Sequence, residues 1–306
     1  MHKYLISFIV CFLFIALILR NCNSNEDDTE SFENNINVEK DNHISDNNKK
    51  EIVFTNDKQN ESKIMIHNVE TQDTLVNVSY LEIPKMTKEG AQQILSRIAY
   101  TSSYNNITKN PNWVAWHLTR LHTDGPWSRK GIDYIEDIDV IGKRQTEDDW
   151  KDLQYPIDHG HLCPAGDNKW SKETMLQSFL LTNICPQNRT LNRGEWEKLE
   201  RQCRNWANLY GEVYIVAGPI FYSSNFKTIG YNKIAVPDAF YKVILRNGKN
   251  PAAIGFIFPN LAPASDYSYY LLTVDEVEEK TGIDFFYNLP DNIEDDIESI
   301  ADLKKW

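Results

Sequence analysis

The chain has 306 residues, of which 41% are hydrophobic and 12% are aromatic, which is enough for a sizeable core and excludes whole-chain disorder. Its formal net charge of -12 argues at first against a polyanionic partner. The acids are concentrated at the two ends, however, with eleven acids and five bases in residues 24–63 and eleven acids and three bases in residues 274–306. The part between them is close to neutral, so the charge does not exclude a nucleic-acid substrate.

A long apolar run lies near the N-terminus. Residues 4–19 are almost all apolar and follow Lys3, which is the arrangement of an export signal. Because a bilayer span needs about 20 residues, this run is short for an anchor, yet an uncleaved anchor remains the alternative. We therefore predict a signal peptide or N-terminal anchor over residues 1–22, with Cys22 leaving lipid attachment open. The protein is then periplasmic, extracellular or tethered to a membrane through residues 4–19 and facing outward.

The stretch that follows has the composition of a linker. It is rich in Asn, Asp, Glu, Ser and Lys and has few large apolar residues. We predict a flexible acidic tether over residues 23–75 and one folded domain over residues 76–306, since no second linker is visible.

The domain alternates irregularly between strand-like and helical patterns. After Pro84, residues 85–100 have helical spacing, and we expect a helix there. Strands are predicted from apolar, β-branched and aromatic content at 113–118, 213–221, 234–236, 239–245 and 253–258. Further helices are predicted at 171–181, 192–210 and 274–281. This mixed order is typical of an α+β fold rather than of a βαβ series.

The first segment with chemical potential is DHGH, residues 158–161. Two histidines flank Gly160, and a histidine can act as a base near neutral pH. His159 and His161 are two residues apart, so on a strand they face the same side. A zinc site would then need two more ligands, for which Cys163 and Cys185 are available, but their spacing fits no common zinc pattern.

The second segment covers residues 182–200 and contains amide and carboxylate side chains. An Asn amide oxygen is a hard, neutral ligand suited to Mg²⁺. Asn192, Trp196 and Glu200 are spaced by four, which predicts a slowly drifting stripe along one helix. Glu200 then lies about 12 Å along the axis from Asn192, which favours a water-mediated role for this carboxylate.

Together these segments resemble the DNA/RNA non-specific endonucleases, the ββα-metal (His-Me finger) nucleases of the endonuclease G type. The family pattern is Asp-Arg-Gly-His, Pro-Ala, Ser/Thr-Asn-hydrophobic-x-Pro-Gln and Asn-x-Gly-x-Trp-x-x-Leu-Glu. Its counterparts here are residues 158–161, 164–165, 182–187 and 192–200. The likeness extends over roughly residues 95–290 and covers several separate motifs in the right order.

The resemblance implies an α+β fold with a mixed, mainly antiparallel sheet, flanking helices and a site between a β-hairpin and one helix. It implies that His161 is the general base and that Asn192 is the single protein ligand of a largely hydrated Mg²⁺, with Mn²⁺ as a substitute. It further implies that Asn183 supports the site near the scissile phosphate and that Glu200 lies near the hydrated metal. The substrates would be DNA and RNA.

One position departs from the family pattern. The arginine between Asp and Gly is His159 in this chain, and a histidine is only partly charged near pH 7. Either another base compensates, with Arg129, Arg189 and Arg193 as candidates, or activity is weaker and favours lower pH. His159 therefore stays a candidate site residue, and its replacement by Arg is expected to raise the rate at pH 8.

Several cysteines and tryptophans allow more than one role. Cys163, Cys185 and Cys203 are available for a disulfide in an exported protein, and the sequence does not select a pair. The tryptophans at 113, 116 and 196 either stack on bases or, as we favour, pack in the core.

The sequence therefore predicts an exported, Mg²⁺-dependent, sugar-non-specific endonuclease, a phosphodiester hydrolase. The alternative is a weak or inactive surface protein that binds nucleic acid on the same scaffold, and His159 keeps that alternative open. Oligomeric state and the preference between DNA and RNA are not indicated.

Overall fold

The computed structural model describes residues 80–151, 153 and 156–306. The predicted signal or anchor (1–22) and the predicted tether (23–75) lie outside the described residues, as does the predicted start of the domain at residue 76. Within the described part, no helix combines the length and the apolar character that a bilayer crossing requires.

A seven-stranded sheet forms the centre of the domain. The strands are β1 Lys85–Met86, β2 Gln93–Ser96, β3 Thr101–Asn105, β4 Asn110–Thr119, β5 Ile157–His161, β6 Ile184–Asn188, β7 Glu212–Ile220, β8 Thr228–Ile229, β9 Ile234–Ala235, β10 Ala239–Arg246, β11 Ala252–Pro259, β12 Leu271–Leu272 and β13 Ile283–Asp284. The order in the central sheet is β12-β11-β10-β7-β4-β3-β2, and each neighbouring pair is antiparallel. The pairs β1–β13, β5–β6 and β8–β9 form small two-stranded sheets.

Helices cover both faces of this sheet. They are α1 Lys172–Gln177, α2 Arg189–Leu191, α3 Glu197–Tyr210, α4 Val274–Thr281 and α5 Asp291–Glu298, with a π-helical turn at Asn192–Trp196 between α2 and α3. Short 3-10 turns lie at Arg120–Thr123, Glu147–Trp150, Ala165–Asp167, Leu181–Asn183, Tyr267–Tyr270 and Leu303–Lys305. The sheet and its helices confirm the predicted α+β fold.

The two faces of the sheet have separate apolar cores because side chains alternate along each strand. On β4, Trp116 and Leu118 face α3, whereas Trp113 and Ala115 face the opposite side. The α3 side contributes Trp196, Leu199, Cys203 and Trp206, and the other side is closed by Val274 and Val277 of α4 and Ile297 of α5. All three tryptophans considered above are thus buried core residues, and none is available to stack on bases.

The predicted helix over 85–100 is wrong, because this stretch forms β1 and β2. In β2 the exposure alternates, with Ile94 exposed and Leu95 buried against Tyr104 and Val140. Gly90 is unfavourable in a helix, and pairing with β3 supplies hydrogen bonds and burial that outweigh a weak helical pattern.

The other predicted helices are present with altered ends. The helix at 171–181 is shortened to α1 with Ser171 as its cap, and 274–281 begins with a capping box formed by Thr273 and Glu276. The helix expected from Asn192 begins at Arg189, where the Asn188 side chain caps it. The predicted strands are all present, since β4, β7, β9, β10 and β11 cover them within one or two residues.

Candidate active site

The hairpin β5–β6 carries the two histidines. Gly160 is opposite Cys185 and His161 is opposite Ile184. A Cβ atom on Gly160 would lie 2.5 Å from both Cβ and Oε1 of Gln187. Only glycine therefore leaves room for the Gln187 side chain to pack against the backbone at this position. The hairpin is therefore locally shaped to hold His159 and His161 on one face.

The hairpin is fastened to the helical segment at both ends of β5. At its start, the Asp158 carboxylate accepts hydrogen bonds from Arg189 Nε at 2.9 Å, Arg193 Nε at 2.6 Å and Asn192 Nδ2 at 3.4 Å. Burial raises the pKa of Asp158, but these donors outweigh it and hold the pKa below its usual value. At the end of β5, Trp196 Nε1 donates to the His161 carbonyl at 3.3 Å.

The π-helical turn shapes the segment that carries Asn192. Gly194 within it has φ -113° and ψ -111°, which is not helical. The segment from Asn192 to Glu200 is thus not one straight helix, and the rise and angle expected from regular helical spacing do not apply between these two residues. No direct hydrogen bond joins these two side chains in the described part of the chain.

His161 is a buried imidazole with the environment of a neutral base. Its side chain is 7% exposed and lies edge-on to Phe179 at 5.1 Å. Burial, the positive charge of Arg129 and the neighbouring His159 lower its pKa to about 3, so the imidazole is neutral at pH 7. Its Nε2 has no hydrogen-bond partner among the described residues. A neutral ring nitrogen without a partner is able to accept a proton from water.

His159 is held between two aromatic rings. Its ring centroid lies 4.0 Å from that of Tyr134 and 3.9 Å from that of Trp150, both stacked. Burial lowers the pKa of His159 to about 4, although Asp158 opposes the shift. The Glu147 carboxylate is 3.6 Å from its Nε2, too far for a hydrogen bond, and a neutral imidazole forms no ion pair with it. His159 therefore carries no charge at neutral pH.

Arg129 is the arginine that faces the histidines. Its guanidinium lies 5.6 Å from the Phe179 ring centroid, and its positive charge acts on Tyr134 and on His161. Arg189 and Arg193, in contrast, are bound to Asp158. Of the three arginines expected to compensate for His159, only Arg129 therefore places its charge beside the proposed base.

Asn183 is enclosed behind the hairpin. Its side chain is fully buried, and Oδ1 accepts from Cys163 N at 2.9 Å while Nδ2 donates to the carbonyls of Cys163 and Ser178, each at 2.8 Å. The carboxamide thus fixes the backbone that directly follows His161. In this arrangement it positions the base and does not face solvent.

Glu200 belongs to a largely buried cluster of charges between α3 and the sheet. Burial raises its pKa to about 7, and the positive charges of Lys242 and Arg204 oppose that rise. Arg204 Nη1 is 2.8 Å from Asp167, whose other oxygen accepts from Trp116 Nε1 at 3.1 Å. Sequence reasoning missed Arg204 and Lys242, although Arg204 is one helical turn after Glu200 and that spacing was a usable signal.

The cysteines of the motifs are thiols in the structure. Cys163, Cys185 and Cys203 are free and buried, and burial raises the pKa of each. Across the described residues, the single group of three or more His, Cys, Asp or Glu that converges as metal ligands contains neither histidine nor cysteine. The zinc alternative therefore has no support from this arrangement.

The donor set fits a hydrated hard cation. Asn192 uses its Nδ2 toward Asp158, and its Oδ1 accepts no hydrogen bond from the described residues, which leaves a neutral oxygen ligand free. One amide oxygen beside a half-buried carboxylate suits a Mg²⁺ ion that keeps most of its waters. Nucleases of the family that these motifs resemble are generally dependent on a divalent metal.

The chain is similar to several known nucleases. The chain is 33% identical over 208 residues to the mitochondrial nuclease EXOG of Xenopus laevis, which covers 63% of this chain and 58% of that one. It is 31% identical over 243 residues to a nuclease of Serratia marcescens, covering 74% and 87%. A crystal structure of an EndoG/EndoGI complex superposes with a TM-score of 0.62 at 25% identity, covering 67% of this chain and 89% of that one. Residues 77–292 match the family model for DNA/RNA non-specific endonucleases. This chain belongs to that family.

Proposed function

We propose that this chain is a divalent-metal-dependent endonuclease that hydrolyses phosphodiester bonds in both DNA and RNA. The observation that carries the proposal is a neutral, buried His161 whose Nε2 has no partner within the described residues, on a hairpin tied to the helical segment of Asn192. Membership of the family supports the class of reaction. The resemblance of residues 158–161 and 182–200 to the family motifs supports the proposed roles of the residues.

His161 takes the proton of the attacking water through Nε2. General-base catalysis of this kind contributes about a hundredfold or more to the rate. The neighbouring Arg129 disfavours the positive charge of the protonated ring, and this helps the imidazolium to release its proton afterwards. Asn183 fixes the backbone after His161 and so keeps the imidazole ring oriented toward the substrate.

Asn192 Oδ1 would hold the metal, which we propose is Mg²⁺, with Mn²⁺ able to replace it. When bound, the ion neutralises phosphate charge and stabilises the leaving 3′-oxygen. Glu200 would orient water near that ion, for which its carboxyl would have to be ionised. Arg129 contacts the scissile phosphate in place of the family arginine that His159 replaces. Contacts of this kind address the phosphate backbone, so cleavage should show little sequence preference and weaken with salt.

A plasmid-nicking assay with Mg²⁺ tests the catalytic proposal. We expect relaxation and linearisation by the wild type, loss with EDTA, and at least a hundredfold loss in His161→Ala. His117→Ala is the matched control, because His117 pairs with Glu212 and stacks on Tyr214 rather than facing the hairpin. Equal cleavage by the wild type and His161→Ala would remove His161 as the base.

His159 favours one alternative, a protein that binds nucleic acid on this scaffold with little or no hydrolysis. A neutral side chain occupies the position of a family arginine. Absence of nicking by the wild type across pH 5–9 with Mg²⁺ or Mn²⁺, together with salt-sensitive retention of DNA, would favour this alternative.

We also propose that residues 4–19 direct export or anchor the protein. The support is their apolar composition behind Lys3. Intact mass of the protein recovered from the outer side of the membrane would distinguish a cleaved from a retained N-terminus. A full-length cytoplasmic product would contradict export.

A further inference from the structure

Three carboxylates converge between α4 and α5, on the face of the sheet opposite α3. Asp275 and Glu278 lie three residues apart on α4, and Glu298 is the last residue of α5. One carboxylate oxygen of each lies within 4.8 Å of the other two. Both helices pack on β11. The cluster joins the N-terminal half of α4 to the C-terminal end of α5.

Glu298 is the unusual member of this cluster. It is 3% exposed, and its Oε1 has no hydrogen-bond partner among the described residues. The charged neighbours that most strongly affect its pKa are all acidic, namely Glu278, Glu294, Asp275 and Asp284. Burial and these neighbours raise the pKa of Glu298 to about 10. An unpaired carboxylate in such a position requires either a proton or a cation.

The other two carboxylates are arranged to accept a cation with it. Phe285 N donates to Glu278 Oε1 at 2.6 Å, which fixes the orientation of that carboxylate. Asp275 is exposed and leaves the cluster open to water on one side. The last turn of α5 also presents backbone carbonyls, whose partial negative charge favours a positive ion near Glu298.

The spacing and chemistry of the cluster select the kind of ion. Two ligands of one Ca²⁺ ion, each at about 2.4 Å, lie at most about 4.8 Å apart, and the three carboxylates meet that pairwise condition. An all-carboxylate set is hard, and Ca²⁺ tolerates irregular geometry with added waters better than Mg²⁺ does. We propose that Asp275, Glu278 and Glu298 form a calcium site that joins α4 to α5.

This site is independent of the proposed nuclease reaction. The expected role is structural, because an ion at this point fixes the C-terminal helix against the sheet. Failure of the calcium proposal would leave the assignment of His161 and Asn192 unchanged.

Thermal unfolding and calorimetric titration test the proposal on the full chain. To exclude binding at the proposed catalytic site, the measurements use Asn192→Ala protein freed of metal with EGTA. Calcium at about a hundredfold excess over its dissociation constant should raise the Tm by about 5 °C, with one ion bound per chain. Equal concentrations of Mg²⁺ should give a smaller shift.

Glu298→Gln, added to that background, should abolish both the shift and the binding heat. Asp296→Asn is the matched control, because Asp296 is an exposed carboxylate of the same helix. Asp296 is not among the acidic residues that most strongly affect the pKa of Glu298. If Glu298→Gln fails to fold, Asp275→Asn, which changes an exposed ligand, should still weaken calcium binding at least tenfold. An unchanged calcium shift in Glu298→Gln or Asp275→Asn, or no calcium binding by the parent, would overturn the proposal.

Discussion

Lys242 places its Nζ 4.2 Å from the ring centroid of Trp196, between the sheet and the helix that carries Glu200. The lysine is fully buried, and its Nζ finds no hydrogen-bond partner in the described part of the chain. Its charge opposes the rise that burial imposes on the pKa of Glu200, which is about 7. A buried cation without a direct partner therefore helps to set the protonation state of a proposed site carboxylate.

Replacing Lys242 by Met should reduce activity by way of Glu200. Removing the positive charge raises the pKa of Glu200 further, so the carboxylate is protonated over more of the neutral range. We expect kcat/KM at pH 7 to fall about tenfold and the acidic limb of the pH–rate profile to move to higher pH. A merely structural role for Lys242 would lower the rate by the same factor at every pH. Lys198→Met, which changes an exposed lysine paired with Glu195, should leave the profile in place.

Replacing His159 by Arg should raise cleavage at pH 8. The pKa of His159 is about 4, so the wild-type side chain is uncharged from pH 5 upward, and the gain should be similar at pH 6 and pH 8. An arginine in this position can stack between Tyr134 and Trp150 and pair with Glu147. We expect an increase of about tenfold in initial nicking rate, with His159→Gln unchanged from wild type. If the nicking rate of His159→Arg did not increase, residue 159 would not contact the phosphate.

The same histidine should make folding stability dependent on pH. Its folded-state pKa of about 4 lies below the ordinary 6.5, so the unfolded chain binds a proton first as the pH falls. The stability that His159 contributes is thus fully present above about pH 6.5 and is lost as the pH falls toward 4. Between pH 7 and 5 this loss amounts to about 2 kcal/mol.

Urea unfolding of wild type and His159→Phe at the two pH values isolates that contribution, because other titrating groups are common to both proteins. Phe retains the stacking but does not titrate. The wild type should lose about 2 kcal/mol more than the variant between pH 7 and 5. Identical losses would mean that the folded protein accommodates a protonated His159.

The sheet and the motif segments were predictable because their signals are local. The strands over 213–221 and 239–245 follow from continuous apolar and β-branched runs, which only a buried strand in a central position accommodates. The prediction for residues 85–100 was wrong because their weak helical spacing competes with strand pairing to β3. The sequence of the stretch itself does not reveal that pairing partner.

The surroundings of the site were harder to predict because they depend on contacts between distant segments. His161 and Asn192 follow from motif matches. In contrast, the rings of Tyr134 and Trp150 reach His159 from irregular segments that have no periodicity to read. The depressed pKa of His159 results from that enclosure, so the sequence could indicate the residue but not its charge.

Asn183 and Asn192 should separate positioning from metal binding when each is replaced by Ala. Asn183→Ala leaves a buried N–H and two buried carbonyls without partners, so the free energy of unfolding should fall by about 3 kcal/mol or more. Asn192→Ala loses only a long hydrogen bond of 3.4 Å to Asp158, so its stability should change by less than about 1 kcal/mol while nicking is lost. Urea unfolding and the nicking assay measure the two effects.

Asn192→Asp is the matched variant, because it retains an oxygen ligand. Its new carboxylate lies beside that of Asp158, and Arg189 and Arg193 offset the repulsion between the two negative charges. We therefore expect this variant to recover part of the Mg²⁺-dependent activity. A carboxylate binds the ion as an oxygen donor too, so the Mg²⁺ concentration for half-maximal rate should be lower than for Asn192→Ala. Because Asn183 contacts only backbone groups, no added Mg²⁺ should rescue Asn183→Ala. Wild-type stability in Asn183→Ala, or full rescue of it by Mg²⁺, would assign Asn183 to the metal or phosphate instead of to the support of His161.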